Sequence, residues 1–432
     1  MPFEVMDAAP RKIAVIGGGI SGMGAAYMLG KSHRVTLIEA EPRLGGHART
    51  VVAGRNGDQP VDTGFIVFNE VNYPHLVKLF DELDVPTAPS SMSFGASIDG
   101  GRIEYGLTLA GLTANKWGLL NPNYLGMVRD IFRFNRNALG VARPGMTIGD
   151  LLDALGTGEW FRDYYLLPFS GAIWSTPTRG ILDFPADAMM SFFKNHALLS
   201  HTGHHQWHTV QGGSVEYVRR LEKVMQNQGV EIRTGAPVKA VQRVPDGVLV
   251  SMHGGGWDRF DDVVFATHSD VTLKLLVDAN GIEHSALDAV KYQPNRAVLH
   301  ADTNVMPRRK ACWSSWVYTE DKGHAGDRIG LSYWMNSLQP IPKSDPMFVT
   351  LNGARKIREE LIYDEVEFSH PVYTREAIAA QGIIRSINGA NNTWFCGAWM
   401  KNGFHEDGLA SAVDVVEALA ARYAVGPAQA AA

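Results

Sequence analysis

Residues 12–39, KIAVIGGGISGMGAAYMLGKSHRVTLIE, decide the fold. Lys12 to Ile16 is a short apolar run that stops at a glycine cluster, the pattern of a strand buried in a parallel sheet. From Gly22 to Leu29 the chain is rich in Ala and Met and reads as a helix. Arg34 to Glu39 reads as a second strand. Together they make a βαβ unit of about 30 residues. Gly17-Gly18-Gly19-Ile20-Ser21-Gly22 is a G-x-G-x-x-G at the junction of strand and helix. Gly17 permits the tight turn, Gly19 lets backbone approach a diphosphate, and Gly22 lets the helix pack closely on the sheet. The helix start there, at Ile20 and Ser21, offers unpaired N–H groups and the positive end of a dipole. Glu39 closes the second strand 17 residues after Gly22. Its carboxylate can accept both ribose hydroxyls of a dinucleotide, and it repels a 2′-phosphate. This unit does not distinguish NAD from FAD.

The stretch beyond Glu39 makes that distinction. After Glu39 and Ala40 the chain reads Glu41-Pro42-Arg43-Leu44-Gly45-Gly46-His47. Gly45 and Gly46 let a second piece of backbone approach the same diphosphate, and Arg43 offers charge, whereas a plain NAD domain runs directly into a helix. This E-x4-G-G pattern resembles the flavin-containing amine oxidase and phytoene desaturase superfamily. Members usually carry Arg after the glycine pair, and this chain has His47, read either as a loop or diphosphate hydrogen-bonder or as a residue near the flavin ring. The resemblance implies an α/β fold: a Rossmann-like FAD-binding domain of the glutathione reductase and amine oxidase type, with a second domain of mixed sheet and helices for substrate.

The same resemblance assigns further residues. Asp62-Thr63-Gly64-Phe65-Ile66 occupies the place where family chains pass the isoalloxazine, so Thr63, Gly64, Phe65 and Ile66 are candidate cofactor residues. Val238 matches the valine whose backbone contacts adenine, and Ala266-Thr267-His268 matches the strand end where chains cross between domains. Near the C-terminus, Gly397 and then Gly403-Phe404-His405-Glu406-Asp407-Gly408-Leu409 precede the last helix. A helix beginning near Gly408 aims N–H groups at the flavin and favours the reduced anion. Gly397, Asp407, Gly408 and Leu409 join the cofactor set, and His405 and Glu406 are the candidate catalytic residues. Many members hold the ribityl chain with an acid after the first glycine, and this chain has Ala398 there.

Stretches such as DTGFIVFN (62–69), PFSGAIWS (168–175), QWHTVQGGS (206–214), YWMNSLQ (333–339) and GFHEDGL (403–409) resemble a bacterial branch of FAD/NAD-binding oxidoreductases. Its genes tend to lie beside cyclopropane or methyl fatty-acid synthase genes. That resemblance implies desaturation of an unsaturated, methyl-branched acyl chain, by hydride transfer to flavin N5. The alternatives are amine oxidation at a C–N bond and a flavin-binding protein without catalysis. The implied partners are an apolar or acyl-lipid substrate and an electron acceptor of unknown kind.

Bulk composition narrows the rest. At 432 residues the chain exceeds one ordinary core. Its net charge of −5, with no long run of one sign, gives no reason to expect nucleic acid. Two cysteines, Cys312 and Cys396, exclude a disulfide framework and fit a reducing compartment. Cys396 reads as a buried strand thiol, with a covalent flavin link as the alternative. The acidic, glycine-broken N-terminus does not read as a signal peptide. The expected location is cytoplasmic, with peripheral contact at the inner membrane face. His201, His204, His205 and His208 read as a solvated loop rather than a metal site, and no metal is expected. The seven aromatics Trp174, Trp207, Trp313, Trp316, Tyr333, Trp334 and Trp399 are either ordinary core or the lining of an apolar tunnel. The predicted organisation is a discontinuous FAD domain (1–70, 213–290, 385–425), a substrate domain (71–212, 291–384) and a flexible tail (426–432).

Overall fold

The structure is a computed structural model that describes residues 10–116, 118–174, 178–196, 198–199, 205–320, 329–353 and 355–423. The strand Lys12–Ile16 lies in the middle of a five-stranded sheet. Across that sheet the order is Glu231–Arg233, Arg34–Ile38, Lys12–Ile16, Asp262–Phe265 and Thr393–Phe395, and every pair is parallel. Its strands therefore come from the start, the middle and the end of the chain. Both faces are covered, which is why the apolar run is continuous rather than alternating. Ile13 and Val15 face a core shared with the helices Ile20–Leu29 and His405–Tyr423. Ala14 and Ile16 face another core, under an antiparallel sheet of Val238–Val244, Gly247–Met252 and Trp257–Phe260.

A second, seven-stranded mixed sheet runs Ile362–Val372, Lys291–His300, Phe348–Leu351, Leu331–Trp334, Trp316–Glu320, Phe94–Ile98, Ile103–Gly106. One pair, Trp316–Glu320 with Phe94–Ile98, is parallel. A hairpin turns at Asp99-Gly100-Gly101, all three residues at positive φ. The helices between residues 107 and 200 share the largest core with this sheet. The longest is Pro122–Val141, capped by the Asn121 side chain.

A buried carboxylate joins the two halves. Asp62 accepts hydrogen bonds from Ser214 N–H (2.8 Å) and Oγ (2.7 Å), Thr50 Oγ1 (2.6 Å) and Gln339 Nε2 (3.0 Å). It thus ties the strand Gln59–Asp62 to the start of the helix Val215–Asn227 and to a residue beside the second sheet.

Three sequence readings change. The stretch from Ala40 to Asn69, loop-rich by its sequence, holds the hairpin of Thr50–Ala53 with Gln59–Asp62. Val67–Asn69 pairs with Trp207–Val210, which pairs with Thr87–Ser90. These strands have only three or four residues each, too short for a clear alternation. The last helix begins at His405, not near Gly408, because the Asp407 carboxylate accepts the Phe404 N–H (2.9 Å) and starts the helix earlier. His208 lies in a strand, with Nε2 3.9 Å from Glu70; His201, His204 and residues 426–432 lie outside the described residues. Among the aromatics, Trp174, Trp207, Trp316 and Tyr333 pack against the largest core. Trp399, within the 385–425 segment of the expected FAD domain, packs on the nucleotide side with its ring N–H on the Thr267 carbonyl (3.1 Å), and Trp313 and Trp334 pack on a small separate cluster.

Candidate functional site

The glycine turn builds an anion cradle. Gly17, at φ +107°, has no room for a side chain, since a Cβ there would lie 2.8 Å from the Ala266 carbonyl oxygen. At Gly22 a Cβ would lie 1.7 Å from the Gly17 carbonyl oxygen. Gly19 differs: a Cβ there would meet nothing within 4 Å. Gly19 caps the helix Ile20–Leu29 in extended conformation, no side chain caps that end, and the first turn has no acid. An open glycine before an uncapped helix N-terminus fits a diphosphate.

The second glycine pair lies against the first. Gly45 N–H donates to the Gly18 carbonyl (2.8 Å), and a Cβ on Gly46 would lie 3.1 Å from Gly19 Cα. Glu39 sits at the same edge and accepts the Gly18 N–H and the Glu41 N–H (2.8 Å). Its own N–H and carbonyl pair with Arg233 and Ala236, which brings Val238, two residues on, to the same end of the sheet. Ala40 is exposed beside them. Arg43 is turned differently from the expectation. Its guanidinium donates to the carbonyls of Leu44 (3.3 Å), Gly46 (3.0 Å) and Ala48 (3.3 Å), so it shapes the glycine loop. It also lines a cleft of about 290 Å³ with Arg49, Arg219 and Glu222.

The last helix completes the cradle. A Cβ on Gly408 would lie 2.9 Å from both Ile20 and Ser21, and Leu409 lies against Gly24. Gly397, at φ +152°, donates its N–H to Ser411 Oγ (2.8 Å), which in turn donates to the Gly408 carbonyl (2.7 Å). Segments from residues 17–22, 45–47 and 397–409 thus converge, as a dinucleotide bridging two ring systems requires. Cys396 is buried in the sheet core and burial pushes its thiol up to about 12, which makes it inert.

Beyond the cradle lies a buried group of imidazoles. Thr63 and Phe65 pair by their N–H groups with the carbonyls of Arg49 and His47 (both 2.9 Å), and Gly64 has the His47 carbonyl where a Cβ would go. Ile66 passes into the core of the second half. His47 stacks on Phe368 (4.8 Å between centroids), with His370 at 5.6 Å and His268 at 6.0 Å. Burial holds His47 well below the ordinary histidine range, and the neighbouring imidazoles lower it further. His370 is pushed down to about 4 by burial and by His268, and its Nδ1 lies 2.7 Å from Asn295 Nδ2. Sequence reasoning missed His370, Phe368 and Asn295. They arrive on strands Ile362–Val372 and Lys291–His300, and no local motif marks them.

The two candidate catalytic residues both make structural contacts. Both Glu406 oxygens are engaged. Oε1 lies 2.6 Å from His75 Nδ1 and accepts the His75 N–H (3.0 Å), while Oε2 accepts the Leu76 N–H (2.9 Å). The carboxylate therefore caps the helix Pro74–Glu82 from a distant segment. Glu406→Ala leaves two amides without this partner and should cost about 2–4 kcal/mol of stability, seen as a lower urea midpoint with unchanged flavin content. His405 stacks on Phe65 (3.9 Å), has Nε2 2.6 Å from Tyr217 Oη, and is pushed down to about 3 by burial. So weak a base is poorly matched to proton abstraction near neutral pH. Asp407, in the same turn, is pushed up to about 6 by burial.

Known proteins share this fold. The cyclohexylamine oxidase of Brevibacterium oxydans IH-35A superposes with a TM-score of 0.68 at 14% identity, over 95% of this chain and 99% of that one. A CLA-producing fatty acid isomerase from P. acnes superposes with a TM-score of 0.62 at 15% identity, over 94% and 98%. An L-amino-acid oxidase of Sistrurus catenatus edwardsii is 48% identical over 42 residues, which is 10% of this chain and 8% of that protein. The match to that curated relative is therefore confined to a short segment. The family model "Flavin containing amine oxidoreductase" matches residues 20–351. With a cradle that fits FAD and a family match over most of its length, the chain belongs to the flavin-containing amine oxidoreductase family, whose cofactor is FAD.

Proposed function

We propose that the protein is an FAD-dependent oxidoreductase acting on an apolar substrate, best an unsaturated and methyl-branched fatty acyl chain: an allylic hydrogen leaves as hydride to the flavin and the adjacent carbon loses a proton to a base at the site, giving a conjugated diene and reduced flavin. Bound FAD supplies the hydride acceptor. The observation that carries this reading is the buried setting of His47, His370 and His405. All three are held neutral among Phe65, Phe368 and Tyr217. A hydrocarbon loses nothing by entering such surroundings, whereas a charged ammonium loses its hydration. Trp174, Trp207, Trp316 and Tyr333, packed against the core of the second half, extend the apolar character. The cradle residues Gly17, Gly19, Gly22, Gly45, Gly46 and Gly408 would hold the diphosphate and the ring, and Glu39 and Val238 the adenosine end. His47 and Phe65 keep the ring side dry.

The test is anaerobic. The purified yellow protein is mixed with unsaturated fatty acids or a lipid extract in one series, and with a panel of amines and amino acids in another. Acyl chains should bleach the visible flavin absorbance and amines should leave it. Bleaching by amines alone defeats the acyl reading in favour of C–N oxidation. Failure of every substrate class, with no turnover to any electron acceptor, defeats the enzyme reading.

A further inference from the structure

We propose that the outer face of the helix Pro122–Val141, with the leucine-rich turns just before it, is a docking surface for an anionic phospholipid bilayer. The helix buries Tyr124, Met127, Asp130, Ile131, Phe134 and Ala138. Its exposed residues include Leu125, Arg129, Phe132, Arg136 and Leu139. At about 100° per residue these five fall within an arc of roughly 80°. The outward stripe is thus apolar, basic, aromatic, basic, apolar, where an ordinary solvent face would mix charges of both signs.

The preceding turns add to it. Leu109 is 81% exposed and Leu120 75% exposed, the two most exposed large apolar side chains among the described residues. Both belong to short helical turns packed at the start of the helix, where Tyr124 Oη donates to the Leu112 carbonyl (2.9 Å) and Asn121 N–H to the Gly118 carbonyl (2.9 Å). Scattered exposed leucines need no explanation, but a cluster of this kind does.

Charge selects the occupant. The chain as a whole is acidic, at −5. Residues 105–149 nevertheless carry five basic side chains, Lys116, Arg129, Arg133, Arg136 and Arg143, against one acid. That acid, Asp130, is buried, where it accepts the Gly158 N–H (2.9 Å) and the Arg129 guanidinium (3.2 Å). The exposed surface of the segment therefore has one sign. A basic rim around projecting leucines matches the interfacial zone of a negatively charged leaflet. No helix among the described residues is long and apolar enough to cross a membrane, so the contact is with the surface. This contact needs only the one face and holds whatever the substrate is.

Flotation of the full-length, flavin-loaded protein tests it, with vesicles of phosphatidylcholine alone and of equal parts phosphatidylcholine and phosphatidylglycerol. The protein should float with the mixed vesicles, stay behind with phosphatidylcholine alone, and be released by high salt. Leu120→Ser with Leu125→Ser should lower partitioning about tenfold or more, and Arg129→Gln with Arg136→Gln about thirtyfold. Flavin absorbance and a cooperative melting transition show that both variants are folded. Absence of binding, equal binding to both vesicle types, or binding that neither pair alters overturns the proposal. So does a wild-type dimer in sedimentation equilibrium that the leucine pair dissociates, because the face would then belong to a second copy of this chain.

Discussion

Gly19→Ala should give a folded protein that has lost most of its colour. Residue 19 has φ −74° and ψ −176°, a conformation open to any residue, and a Cβ there meets nothing within 4 Å. Folding stability should therefore fall by no more than about 1 kcal/mol, the usual cost of Ala at a helix N-cap. The new methyl instead stands where backbone must come close to the diphosphate, so flavin affinity should fall about a hundredfold, or ~2.7 kcal/mol. Gly22→Ala is the contrast. Its Cβ would sit 1.7 Å from a carbonyl oxygen, and the first helix would have to move off the sheet. That variant should lose about 3 kcal/mol or more of stability along with its flavin. Thermal unfolding of the flavin-free proteins and flavin titration separate the two effects. A Gly19→Ala protein that kept wild-type flavin affinity would show that the diphosphate lies elsewhere.

The gap in stability between wild type and His405→Gln should narrow by about 2 kcal/mol on going from pH 7 to pH 5. His405 falls from an ordinary 6.5 to about 3 because it is buried. Above pH 6.5 both states are neutral and the shift has no effect. As pH falls below 6.5 the unfolded chain takes up a proton that the folded chain refuses, so the folded state loses ~1.4 kcal/mol per pH unit. Gln can still reach the Tyr217 hydroxyl and does not titrate, so the variant escapes this loss. His300 and His370, each pushed down to about 4, act in the same direction in both proteins. Asp62 and Asp407, each pushed up to about 6, oppose them by holding protons in the folded state. All four cancel in the comparison. Urea unfolding at the two pH values is the measurement, and parallel pH profiles would mean that His405 is solvated.

The cradle was legible because each part is local. A strand, a glycine turn and an acid within residues 12–39 need no distant contact to be read, and the second glycine pair comes directly after them. The order of strands in the sheet is less local, because Asp262–Phe265 and Thr393–Phe395 join it from far along the chain. What escaped were side chains whose meaning depends on long-range pairing. His370 becomes a neighbour of His47 through a strand paired with Lys291–His300. The role of Glu406 lies in a helix more than 320 residues earlier, at His75 and Leu76. Arg43 reads as charge for a ligand, and its hydrogen bonds to the carbonyls of its own loop were not legible.

The mixed ancestry of the five-stranded sheet bears on how the protein is made. On the ribosome, Lys12–Ile16 appears early but gains one flanking neighbour only with Asp262–Phe265, and the far edge only with Thr393–Phe395. At bacterial and eukaryotic elongation speeds of about 5–20 residues per second, roughly 20–75 s separate the first of these strands from the last. During that interval the nascent chain exposes a bare β edge and apolar faces that invite chaperones. The nucleotide can be gripped from all sides only once residues 397–409 have emerged.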